Sequence, residues 1–393
     1  MGFSLFLKEC RVISKSILYY IISIFVVCFA VFQLNAFKSP KPEPTDMYFG
    51  SKITTDKNEI ENITMMSLLN EYCENNYRTY PIGFKKEVHL NDENKGKVEK
   101  TIEKYTGYSG DEIKKVMKDK TKELKVKTDT DYSTFISDMK QIDTLLGGSS
   151  RYSEYSIRNT TKRATYEDTM EHYNRILSED HVSSAYARSF CDYCGIELGF
   201  LPVFLAVARC IRDRKSMVSD IIYSSNASSF SIIFSRYAAV VTMMFIPVLI
   251  AALVIDFRCI YYAQSIGVQP YYLSVMKHAF GWLLPTIMFT TAVGFFFTEL
   301  TGGVIGILIQ GVCWFVWLNN MKLVYVGWSF MPRFNGLGNR SLFEEIYKQL
   351  VINRVSYAAI SVAVILLTVI IFNLKRTGKL NCHIKRLSDM RTK

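Results

Sequence analysis

Cysteine, proline and histidine are all scarce, at nine, nine and five in 393 residues. Only Cys73 lies well inside the one long charged stretch, which excludes a secreted scaffold stapled by disulfides. His89, His172 and His181 have no neighbours at ligand spacing, and Cys191-Asp192-Tyr193-Cys194 lacks the second pair a structural zinc site needs. These cysteines therefore read first as small apolar residues, with redox or metal chemistry the alternative. No Gly-x-x-x-x-Gly-Lys-Ser/Thr loop, GxSxG elbow, HExxH helix or EF-hand loop occurs. Catalytic, metal and cofactor-binding residues are thus not expected in this chain. If the protein performs energy-driven work, its nucleotide chemistry would come from a partner. Internal repeats and low-complexity tracts are also missing.

The formal net charge of +11 first suggests a nucleic-acid partner. Its distribution excludes one. Residues Lys38 to Arg188 hold 25 Lys and Arg against 26 Asp and Glu, so this stretch is nearly neutral. The basic surplus flanks long apolar runs instead. A spanning helix needs about 20 mostly apolar residues. Ser16–Phe37 meets this without an internal charge, and it is too long for the core of a cleaved signal peptide, the competing reading. Further spans are expected at Phe190–Cys210, Ala238–Ile255, Val275–Thr298, Gly302–Leu318 and Ser356–Asn373. Basic flanks mark the cytosolic side. They put residues 1–15, the loop 209–236 and the tail 374–393 inside, and residues 38–188 outside. The expected fold is a membrane all-α, six-helix bundle in residues 16–37 and 189–373. A large, mainly α extracellular domain (α+β remaining open) is inserted between spans one and two.

Within that domain, Ile60, Ile63, Leu68 and Tyr72 share a helical face, and Ser109-Gly110-Asp111-Glu112 matches a capping box. The helix it would start carries Ile113, Val116, Met117 and Leu124. Another is expected from Asp131 to a stop at Gly147-Gly148. Tyr80–Leu90 is the stretch that suits extended structure. Asn62-Ile63-Thr64 and Asn159-Thr160-Thr161 are glycosylation triplets, meaningful only in a host that glycosylates.

Three segments outside the domain could carry function. Arg209–Arg236 joins a basic cluster to Met217, Ile221, Ile222 and Tyr223, which suits a short amphipathic helix near Ser216–Ser224 that meets a partner or anionic lipid. Phe3, Leu5, Phe6 and Leu7 before Lys8 and Arg11 suit a helix along the cytosolic surface. Inside the membrane, Asp192 and Glu197 are costly charges that must face the bundle interior, as substrate-path carboxylates or as interhelical contacts. Arg188, four residues before Asp192, is expected to pair with it. Pro202, Pro247 and Pro285 should bend spans two, three and four. Ser341-Leu342-Phe343-Glu344 suits the start of a short external amphipathic helix before span six.

An amphipathic N-terminus, six spans, a basic loop between spans two and three, and a helical loop between spans five and six together resemble the permeases of type-2 ATP-binding-cassette exporters. The resemblance covers 1–37 and 190–379. It implies that the loop 209–236 holds a coupling helix docked on a separate ATPase subunit, with Arg212, Asp213, Arg214, Lys215, Met217, Ile221 and Tyr223 as candidates. It also implies a homodimer or a heterodimer with a second permease, in a bacterial plasma membrane. A ligand-binding receptor and a secondary transporter remain the competing functions. The short tail argues against the receptor, and the lack of a clear inverted repeat argues against the secondary transporter.

Overall fold

The computed structural model describes residues 2–34, 41–81, 84–118, 126, 131–319, 329–333, 337 and 340–380. It divides into two compact units, one formed by residues 41–171 and the other by the flanking chain.

The flanking unit begins with α1 (Gly2–Ile13) and α2 (Ile17–Gln33), which meet at 79°. In α2, Tyr19, Ile22, Val26 and Ala30 recur every three or four residues and are buried, while Ile17, Tyr20, Ile21 and Ile24 face outward. Outward aliphatic residues on a charge-free helix suit hydrocarbon, not water.

The inserted unit is mostly helical. Its elements are β1 (Ser51–Ile53), α3 (Lys57–Glu74), β2 (Tyr77–Thr79), β3 (Lys86–Val88), α4 (Asp92–Thr106), α5 (Asp111–Lys118), α6 (Tyr132–Leu145), α7 (Glu154–Arg158) and β4 (Thr161–Arg163). Strands β1 and β4 pair antiparallel, as do β2 and β3, so among the described residues of 80–90 the expected strand is β3. Ile60, Leu68 and Tyr72 are buried as their spacing requires, against Ile102, Phe135 and Met139. Helix α6 follows Asp131 and ends before Gly147 and Gly148, both left-handed, as read from the pattern. The first capping box is displaced: α5 starts at Asp111, and the Gly110 N–H is taken by Glu99 Oε1 at 2.5 Å. Leu124 lies outside the described residues. Buried tyrosines tie this core to acids. Tyr72 donates to Glu99 at 2.7 Å, Tyr105 to Asp138 at 2.8 Å and Tyr152 to Glu71 at 2.6 Å. Burial holds the Tyr105 and Tyr152 hydroxyls well above their ordinary range.

Helix α8 (Tyr166–Ser178) returns the chain to the flanking unit, where a tight turn precedes α9 (Ser183–Leu198). His181 and Val182 both have positive φ, at 47° and 64°, and the Ser183 N–H reaches the His181 carbonyl at 2.6 Å, the pattern of a γ-turn centred on Val182. Next come α10 (Leu201–Lys215), α11 (Ser219–Tyr223), α12 (Ser229–Ser265), α13 (Ser274–His278), a π-helical turn (Ala279–Leu283), α14 (Leu284–Thr301), α15 (Ile305–Asn319) and α16 (Arg340–Arg376). Helix α14 packs along α16 and α10, and α12 packs along α1 and α2. Backbones approach closely at Gly294, where a Cβ would stand 2.8 Å from that of Ala206.

Among the described residues, four helical stretches are long and apolar enough to cross a membrane, or five if α1 and α2 form one bent span. The stretch expected as span five, α15, is apolar but shorter. The second span is two helices broken at Gly199-Phe200, so Pro202 sits in the first turn of α10, where its missing N–H costs little. Pro285 likewise follows the π-helical turn at the start of α14, and only Pro247 lies inside a helix. Among the described residues, the short helix expected from Ser341 and span six form one element. Arg340–Arg376 is one 37-residue helix, and Glu344 pairs with Arg340 within its first turns. Arg188 takes Asp180 as a bidentate partner at 2.8 and 2.7 Å, a contact its spacing from Asp192 did not suggest.

Candidate functional site

The segment between the second and third apolar stretches starts as helix. α10 runs through Lys215, and Met217 then takes the left-handed conformation (φ 53°) that usually falls to glycine at a helix end. The Val218 N–H returns to the Asp213 carbonyl at 3.1 Å and closes the turn. Five residues of α11 follow, and α12 opens on Ser228, whose side chain accepts the Ser231 N–H at 3.1 Å.

This geometry divides the candidate coupling residues. Arg212 is exposed, and Met217 and Ile221 are 86% and 69% exposed. Tyr223 is half-buried, edge-on to Phe372 with ring centres 5.6 Å apart. Asp213 and Arg214 turn inward. Arg209 and Arg236 share two carboxylates, Glu9 of α1 and Asp213. Arg209 Nε meets Glu9 at 2.5 Å and its Nη1 meets Asp213 at 2.9 Å; Arg236 Nη2 meets Asp213 at 2.5 Å. Arg214 Nη2 meets the buried Glu299 at 2.9 Å, with Lys375 of α16 on the same carboxylate at 3.8 Å. Lys215 closes α10.

These pairs decide which residues can dock. A buried ion pair gains little over an apolar pair, but removing one partner strands a charge at about 3–5 kcal/mol. Asp213 and Arg214 are therefore committed to holding α1, α10, α12 and α14 together, leaving Arg212, Met217 and Ile221 as the outward set. Sequence reasoning missed Glu9, Arg236 and Arg376 as partners of this end. Arg376 donates to the carbonyls of Tyr223, Ala227 and Ser225 in the loop after α11. Charge alone flagged these residues, and the pairing is long-range.

The two carboxylates expected inside the membrane, Asp192 and Glu197, lie on α9, both buried. Glu197 stands beside the break, and among the described residues neither of its oxygens has a hydrogen-bond partner. Carbonyls freed at the break are taken from other helices: Gly199 accepts from Gln310 Nε2 at 2.7 Å, and Ile196 accepts from Trp314 Nε1 at 2.8 Å. Two further buried groups went unread. Asp256 accepts the N–H groups of Val275 and Met276 at 3.0 and 3.1 Å, capping α13 from α12. Arg354 lies buried in α16 and donates to Ser329 O at 2.7 Å and Thr286 Oγ1 at 2.9 Å.

Long apolar helices with paired charges at their ends define a multi-pass membrane protein. The family model described as ABC-2 family transporter protein matches residues 15–373, and the chain belongs to that family. Its members are the transport component and not themselves catalytic. No curated protein and no solved structure matches the chain.

Proposed function

We propose that the chain is the permease subunit of an ATP-driven exporter, coupling hydrolysis by a separate ATPase subunit to the movement of a substrate out of the cell. ATP and Mg would be bound by that partner. The observation that carries this reading is the outward face of α11. Ile221 projects from this short helix and Met217 from the turn before it, while the neighbouring charges Asp213 and Arg214 are already paired inside the bundle. Two exposed apolar side chains near the exposed cation Arg212 form a compact contact of the kind a partner surface covers. Closure of the ATPase would push α11 and rotate the bundle helices as bodies.

The basic flanks support cytosolic termini, a cytosolic α11 and an external inserted unit. A bacterial plasma membrane and a dimer, with a second copy or a sister permease, complete the reading. The outward faces of α15 and α16, including Leu308, Val312, Leu366 and Ile370, would meet lipid or that second permease.

The test is gentle detergent purification from the native host, with identification of the co-purifying chains. An ABC-type ATPase should be retained. The double variant Met217→Glu with Ile221→Glu should lose it, through a cost of at least ~2 kcal/mol or about thirtyfold in affinity, while the permease melts as before. Absence of any ATPase from preparations that keep other membrane complexes intact would overturn the proposal.

A further inference from the structure

We propose that Arg376 fastens the loop after α11 to the end of α16, so that a push on α11 is delivered directly to α16. The inference rests on reading α11 as the ATPase-docking element.

Helix α11 ends at Tyr223 and α12 begins at Ser229, so the carbonyls between them have no helical partners of their own. Arg376 supplies the donors. Its Nε reaches the Tyr223 carbonyl at 2.7 Å, its Nη1 the Ala227 carbonyl at 2.7 Å, and its Nη2 the Ser225 carbonyl. A planar guanidinium can address three carbonyls in fixed directions, which a lysine cannot. Two neighbours on the same turn of α16 add to the grip. Phe372 stacks edge-on with Tyr223, and Asn373 Oδ1 accepts from Ser229 Oγ at 3.0 Å. Both ends of the loop are therefore held by one turn of one helix.

What that helix does with the load follows from its continuity. α16 runs unbroken for 37 residues, about 55 Å at helical rise. The path through α10 and α9 is interrupted at Gly199-Phe200, where the ladder is replaced by side-chain contacts that can shift. A displacement entering at Tyr223 reaches α12 through the chain itself, and reaches α16, the second unbroken 37-residue helix, only where the loop is fastened to it. Arg376 is a positioning residue in this scheme: it touches neither nucleotide nor substrate.

The experiment uses the co-purified complex in lipid nanodiscs. Spectroscopic labels are placed through non-natural residues at Ile250 of α12 and Ile360 of α16, and the distance between them is read without nucleotide and after trapping with ATP and vanadate. The wild-type distance should change on trapping. In Arg376→Gln the ATPase should stay bound and hydrolyse ATP, yet the change should be lost; Arg376→Lys should restore part of it. An unchanged wild-type distance, or a full change in Arg376→Gln, overturns the proposal while leaving the docking reading standing. Loss of the ATPase from the wild-type complex takes both away. If Arg376→Gln does not fold, a Ser229→Cys/Asn373→Cys pair decides the matter. Oxidative cross-linking should leave the trapped distance change intact, since the joined ends travel together. A change abolished by cross-linking and recovered on reduction means that the ends must part, and refutes the clamp.

Discussion

Glu61 and Asp180 show two treatments of a buried carboxylate. Glu61 on α3 is 5% exposed, and burial raises its pKa above the ordinary glutamate range. The folded chain then keeps that proton to higher pH than the unfolded chain, so stability associated with it is present below about pH 4 and is lost as pH rises. Glu61→Gln should accordingly stabilise the inserted unit at pH 7 and make no difference near pH 4, as read by pulse proteolysis of the full chain in detergent. Asp180 is instead matched by Arg188, with both side chains 1% exposed. Asp180→Ala should cost about 3–5 kcal/mol in denaturant unfolding, and adding Arg188→Met should return part of the loss, because the stranded guanidinium is then gone.

At the scale of elements, what the sequence reveals depends on how local the cause is. The limits of α6 are written in Asp131 and in Gly147-Gly148, and the buried face of α3 in its spacing. The break between α9 and α10 is marked locally by Gly199 and Pro202, but the apolar run continues through it and nothing local shows what satisfies its carbonyls. Gln310 and Trp314, more than 100 residues away, make it affordable by taking its carbonyls. The same holds at the candidate site. Exposure of Arg212, Met217 and Ile221 follows from their position in a short polar loop, whereas the inward role of Asp213 needs Glu9 and Arg236 from other helices. Reversing both Arg212 and Arg214 is therefore not a clean probe of docking. Arg214→Glu should cost the bundle about 3–5 kcal/mol through Glu299, and Arg212→Glu within about 0.5 kcal/mol. Thermal unfolding of the two single variants checks this.

For the whole molecule the decisive question is sidedness. Lys100 and Met217 are exposed, one in each unit. In intact cells a membrane-impermeant maleimide should label Lys100→Cys above the background of the unmodified chain. It should reach Met217→Cys only after permeabilisation. Labelling in the opposite order inverts the topology and removes α11 from the ATPase's side.

The γ-turn before α9 carries a further consequence. A buried β-branched residue at φ 64° is held about 1–3 kcal/mol above a relaxed backbone. His181 helps to hold it, through its ring on Tyr271 and its Nδ1 against the Gln269 carbonyl at 2.8 Å. In a two-state equilibrium that much energy amounts to a bias of about five- to 150-fold. Any conformer in which Val182 relaxed would gain that weight in the population, and Val182→Gly would remove the bias.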